Sequence, residues 1–179
     1  MDPQQALKSI GWLGETWGFW IQTGAFVLSA LAAVAVIYFN GRQARKRATI
    51  DLMLHQKNNH NMQIELRKVW ALADKDGTFA SLAKDIKSDD CACIFRVLSE
   101  YEFVALGIRK RAFDGNIYKM SQYSNVMKVW NASDGFIREV RALEGKPTLF
   151  QELEILIDDW NKDPITLLKS KRRWQLWKG

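Results

Sequence analysis

A chain of 179 residues that includes one long uncharged stretch leaves room for one further domain of roughly 115 to 120 residues. The formal net charge is +6, yet residues 48–163 hold 16 Lys or Arg against 18 Asp or Glu, and a body so balanced disfavours nucleic acid. The two cysteines, Cys91 and Cys93, stand two positions apart in one predicted helix, a spacing that strains a disulfide and matches no zinc pattern.

Residues 1–16 are too polar to span a membrane, although Ile10, Trp12 and Leu13 suit its outer interface. Residues 17–39, WGFWIQTGAFVLSALAAVAVIYF, contain no charged side chain. As a helix they would run roughly 34 Å, enough to cross a hydrocarbon core of about 30 Å with some tilt. Aromatic residues gather at both ends, Trp17, Phe19 and Trp20 at one and Tyr38 and Phe39 at the other, as interfacial belts require. The segment is read as a single transmembrane helix. A cleaved signal peptide fits poorly, because the preceding segment is nearly neutral and the basic cluster lies on the far side.

That cluster, Arg42, Arg45, Lys46 and Arg47, lies in a basic juxtamembrane linker over residues 40–47, after an expected break at Asn40-Gly41. The positive-inside rule then places the amino terminus outside and the rest in the cytoplasm, at an inner membrane. Anionic lipid headgroups are the expected partner of the four cations. Within the span, Ala25, Ser29 and Ala33 recur every four residues, a small-residue ridge through which two copies could associate.

Residues 48–163 read as an all-α cytoplasmic bundle of about five helices. Ile50, Met53 and Leu54 share the first face. Met62, Leu66, Val69, Trp70 and Ala73 mark a second helix, closed by a turn at Asp74-Lys75-Asp76-Gly77. A short segment from Phe79 to Ile86 precedes Ser88-Asp89-Asp90, a capping sequence for a helix over about 89–112. Ile94, Leu98, Tyr101, Ala105 and Ile108 give that helix the clearest pattern, so it is the predicted core. Ile117 to Leu143 follows, either as one helix bent near Ser133-Asp134-Gly135 or as two stacked end to end. Thr148-x-x-Gln151 is an expected capping box for a last helix that turns Phe150, Leu153, Ile157 and Trp160 inward.

The tail, residues 164–179, interleaves Lys171, Arg172 and Arg173 with Trp174 and Trp177, a composition suited to a lipid interface. Chemistry is harder to find. Tyr101 faces the core on the helical wheel, Glu102 lies at the edge of that face, and Glu100 points away. A carboxylate so placed is expected to fix helix register by pairing with Arg67 or Arg138, rather than to act as a general acid or base. No phosphate-binding glycine loop, nucleophile elbow or histidine-centred constellation occurs, so no catalytic, cofactor or metal residue is assigned and the chain is read as a non-enzyme.

The runs RATIDLMLHQK, VLSEYEFVALGIRKRAFD, VMKVW and KPTLFQELE before DDW resemble a bacterial and phage family catalogued as a domain of unknown function, number 4760. The resemblance, from about Arg47 through Trp160, implies one amino-terminal membrane helix followed by an all-helical cytoplasmic domain, and carries no established activity. The chain is therefore read as a single-pass inner-membrane protein that presents a helical interaction domain to the cytoplasm and holds an unknown partner, or a copy of itself, at the membrane. The phage character of the family implies an exclusion or defence setting. The alternative expectation is a membrane-active effector that oligomerises through its span.

Overall fold

The structure is a computed structural model that describes residues 17–76, 79–85 and 87–165, and every regular element among them is helical. Helix α1 spans Trp17–Asn58, α2 His60–Asp76, α3 Asp89–Arg109, α4 Gly115–Glu144 and α5 Gln151–Lys162, with a 3-10 turn over Ala80–Lys84 before α3. The chain divides into two units between Ala44 and Arg45. In the first unit the described residues form one apolar helical stretch, in which no side chain is fully buried.

The expected break at Asn40-Gly41 does not occur: α1 continues through it to Asn58. A helical glycine costs about 1 kcal/mol, a small penalty between an apolar span and a run of Arg, Lys and Ala that favours helix. The linker expected over residues 40–47 is therefore helical. The chain turns instead at Asn59, whose Oδ1 accepts the Met62 N–H at 3.1 Å and so opens α2. Residues Asp74 to Asp76, expected in a turn, are still within α2; Gly77 lies outside the described residues.

In the second unit α3 is the central element. Ile94, Val97, Leu98, Tyr101, Val104 and Ala105 are all buried, as the four-and-three spacing predicts. Its entry is capped by Ser88, whose hydroxyl oxygen accepts the Cys91 N–H at 3.2 Å, and Asp89 and Asp90 complement the positive end of the helix. Helices α2 and α5 pack on α3, while α4 packs on α2 and on the 3-10 turn. Phe79, fully buried, donates its backbone N–H to the Ala132 carbonyl at 2.8 Å and so ties the 3-10 turn to α4.

Helix α4 is one continuous helix through Ser133-Asp134-Gly135. The buried Ser133 hydroxyl donates to the Val129 carbonyl at 2.6 Å, which removes the cost of an unpaired polar group in the core. Asp114 caps the start of α4, its carboxylate accepting the Asn116 and Ile117 N–H groups at 3.1 Å each. Gly145 ends the helix in the left-handed region at φ 63°, the conformation that glycine adopts most cheaply.

Helix α5 buries Leu153, Leu156, Ile157 and Trp160. The Trp160 ring sits 5.6 Å from that of Tyr123 and 6.4 Å from that of Tyr118, so α5 closes over α4 as well as α3. The Thr148-x-x-Gln151 capping box does not form. The residue before α5 is Phe150, itself left-handed at φ 57°, and it supplies no side-chain cap. Its buried ring, 5.8 Å from Phe95, offsets the conformational cost.

Candidate functional site

Three features stand out among the described residues: the apolar stretch of α1, the polar groups that fasten the bundle, and a cavity in the bundle's side. Within the first, Ile21, Leu28 and Ile37 are 71%, 71% and 72% exposed. Ala25, Ser29 and Ala33 are exposed too, and the Ser29 hydroxyl donates to the Ala25 carbonyl at 2.9 Å. That hydroxyl is thus satisfied inside its own helix, as a hydrocarbon environment demands. Among the described residues one helix, α1, is long and apolar enough to cross a membrane by length and composition.

Of the four cations that follow, Arg42 and Arg47 are exposed and Arg45 and Lys46 half-buried. The tail residues Lys171, Arg172, Arg173, Trp174 and Trp177 lie outside the described residues.

The polar fastenings lie in the second unit, and Glu102 is the most informative. Sequence reasoning pairs it with Arg67 or Arg138, and the structure overturns this. Arg138 pairs with Asp134 on its own helix. The Glu102 carboxylate instead accepts the backbone N–H groups of Glu152 at 3.0 Å and Leu153 at 2.6 Å. It therefore caps α5 from another helix, satisfying two donors that Phe150 leaves free. Arg141 holds the preceding turn, donating to the Leu149 carbonyl at 2.9 Å and to Glu154 at 2.8 Å. Arg109 adds a bidentate pair to Glu152. With both oxygens bonded to main-chain donors, Glu102 positions a helix.

Thr49 is a second fastening that the pattern of the sequence hides. Fully buried on α1, it donates to the Arg45 carbonyl at 2.8 Å and accepts the Asp114 N–H at 2.7 Å. One hydroxyl thus joins α1 to the loop before α4. Glu100, expected to point away, is half-buried and accepts from the Gln56 amide at 3.0 Å. Beside it, burial first and then the Glu100 charge push the Tyr101 phenol well above its ordinary value. Tyr118 is raised further by burial and by Tyr101 and Glu100, with Gln56 acting the other way; its hydroxyl has no hydrogen-bond partner among the described residues.

The cavity, of about 280 Å³, opens between the carboxy-terminal part of α1, α2, α3 and α4. Met53, Leu54, Met62 and Leu66 supply apolar wall, and Trp70 and Tyr101 supply aromatic wall. Ile50 and Leu54, expected to share one apolar face with Met53, are 46% and 51% exposed at its rim. The cavity explains this: the apolar face of α1 is only partly covered by its neighbours.

No group of three or more His, Cys, Asp or Glu side chains that could hold a metal occurs among the described residues. His55 and His60 are exposed. Cys91 and Cys93 are buried free thiols, Cys93 lying 3.6 Å from the Glu65 carbonyl. Desolvation raises both thiols above the ordinary range, with Asp85 adding to the effect at Cys91 and Glu65 at Cys93.

Among known families, the one described as Domain of unknown function (DUF4760) matches residues 21–160. The match takes in most of the apolar stretch as well as the bundle and ends at Trp160. No curated protein and no solved structure matches the chain.

Proposed function

The chain belongs to this DUF4760 family, and we propose that it is a single-pass inner-membrane protein that presents a helical protein-interaction domain to the cytoplasm. The observation that carries the reading is the uncovered apolar stretch of α1, followed at once by Arg42, Arg45, Lys46 and Arg47. Soluble monomers rarely leave so long an apolar surface bare, and a lipid bilayer satisfies it. The cations after it favour the cytoplasmic side and anionic headgroups. What remains is a bundle in which Glu102 and Thr49 are spent on holding helices together, which suits a binding scaffold.

Photo-crosslinking of the full chain in living cells, with the crosslinker at exposed bundle positions such as Phe103 or Met120, tests this. A discrete protein adduct, or an adduct to a second copy, supports the adaptor reading. Absence of any adduct, together with loss of membrane potential on overproduction, contradicts it and favours a membrane-active effector. The phage exclusion or defence setting is tested by plaque counts on cells with and without the protein; equal counts across a phage panel remove that setting.

A further inference from the structure

The end of the bundle at which α1 enters it gathers cations from two stretches of chain that lie far apart in sequence. Within the second unit, the Gln56 amide donates to Glu100 at 3.0 Å, and Thr49 accepts the Asp114 N–H at 2.7 Å. Later residues of α1 thus meet earlier residues of the α3–α4 stretch, so α3 runs back along α1 toward Arg47. The Thr49 hydroxyl also donates to the Arg45 carbonyl at 2.8 Å, which holds the loop after α3 beside the first residues of the unit. That loop carries Lys110 and Arg111, both exposed. Lys46, Arg47, Lys110 and Arg111 form no ion pair among the described residues, whereas Arg109 is paired with Glu152 and Asp114 is spent capping α4. Asp51, exposed one turn beyond Arg47, leaves the surplus positive. Arg111 is left-handed at φ 59°, a conformation glycine adopts more cheaply, so the loop carries a charge where the backbone favours none.

We propose that Lys110 and Arg111 make the α3–α4 loop a second lipid contact, which seats this end of the bundle on anionic phospholipid headgroups. The proposal rests on the reading of α1 as a membrane-spanning helix. Arg45 follows Phe39 by six residues, so the covalent chain holds the bundle's entry within about 20 Å of the apolar stretch. So short a tether makes the second contact intramolecular, and a few charges then suffice. Each Lys or Arg at an anionic surface changes the docked-to-undocked ratio about fivefold, and the effect fades over a Debye length of about 8 Å. Nucleic acid fits the same cations less well, because residues 48–163 hold 18 acidic side chains against 16 basic and would repel phosphate away from this end.

The test is fluorescence quenching of the full chain reconstituted in phosphatidylcholine vesicles that carry a headgroup nitroxide, with or without phosphatidylserine. A fluorophore is attached through Ala112→Cys in the exposed loop, and separately through Tyr38→Cys in the apolar stretch and His60→Cys past the turn at the far end of α1. Cys91 and Cys93 are buried, so the label goes to the introduced thiol. With phosphatidylserine, the Ala112→Cys label is quenched and the His60→Cys label is not. Phosphatidylcholine alone, or about 1 M salt with its Debye length of about 3 Å, relieves the quenching at Ala112→Cys. Lys110→Gln with Arg111→Gln lowers the docked-to-undocked ratio about 25-fold at unchanged Tm. Equal quenching of the Ala112→Cys label in the two lipids overturns the proposal, as does quenching that the double substitution leaves intact. A fall in Tm with quenching intact assigns the pair to the negative end of the α3 dipole instead. Equal quenching at His60→Cys overturns it too, since no one end would then be favoured, and relief by a short DNA duplex would assign the cations to nucleic acid. An unquenched Tyr38→Cys label contradicts the membrane reading itself, whereas a quenched one beside an unquenched Ala112→Cys label contradicts this proposal alone.

Discussion

Replacing Glu102 by glutamine separates a positioning carboxylate from a catalytic one. The glutamine keeps the shape of the side chain but has one acceptor oxygen where the carboxylate uses two, so either the Glu152 or the Leu153 N–H loses its partner. A hydrogen bond to a charged group contributes about 1.5–3 kcal/mol, and a negative charge at a helix amino terminus roughly 0.3–1 kcal/mol. The sum centres near 3 kcal/mol, because Phe150 supplies no side-chain cap in its place. For a domain of this size about 3 kcal/mol lowers Tm by roughly 12 °C. Near-ultraviolet circular dichroism of the full chain in detergent reads the loss, since Trp160 of α5 packs against Tyr118 and Tyr123. Hydrogen exchange should accelerate first at the start of α5. A Tm within about 1 °C of the parent, with unchanged exchange over residues 151–155, would refute the capping role. Arg67→Ala and Arg138→Ala, the partners that sequence reasoning favours, should each stay within about 0.5 kcal/mol of the parent.

Thr49→Val keeps the shape of the side chain and leaves the Asp114 N–H without its 2.7 Å acceptor, so chemical denaturation should show a loss of about 1–3 kcal/mol. Gly107→Ala places a Cβ inside the Phe113 ring, and overpacking should cost about 1–3 kcal/mol; Phe113→Ala in the same chain should recover part of that loss in the same assay. The buried thiols give a pH signature. Their folded values lie above the ordinary 9.0, so the neutral thiol is favoured by folding. Their contribution is fully present below the unfolded value and is lost as pH rises through the folded one, and Tyr101 and Tyr118, raised above the ordinary 10.0, act in the same direction at higher pH. Stability measured from pH 7 to 11 should therefore fall only in the alkaline arm, and Cys91 and Cys93 should resist a thiol reagent at pH 8 until denaturant is added.

The helices were legible wherever one apolar face faced one core. The patterns Ile94-Leu98-Tyr101-Ala105 and Leu153-Ile157-Trp160 place those residues inside, and each is buried. Ser88 was legible as a cap because its partner lies three residues away. The failures at Glu102 and Thr49 share a physical cause, since each depends on residues far apart in the chain. Glu102 is 50 and 51 residues from the amides it caps, and Thr49 is 65 from Asp114. Thr148-x-x-Gln151 has the letters of a capping box, but the buried Phe150 ring fixes the backbone differently and a distant carboxylate supplies the cap. At Asn40-Gly41 a weak local breaker was outweighed by strong helix formers on both sides. The cavity could not be read from the sequence at all, because it arises from what four helices leave uncovered.

Protease protection most directly tests the claim that the bundle stands in the cytoplasm on a membrane-spanning helix. With the protein in spheroplasts and in inverted inner-membrane vesicles, an antibody to the bundle follows its fragment through digestion by an added protease. The account requires that the protein resist alkaline carbonate extraction, and that its bundle be protected in intact spheroplasts and digested in inverted vesicles. Release by carbonate, or digestion of the bundle from the spheroplast side, would contradict it.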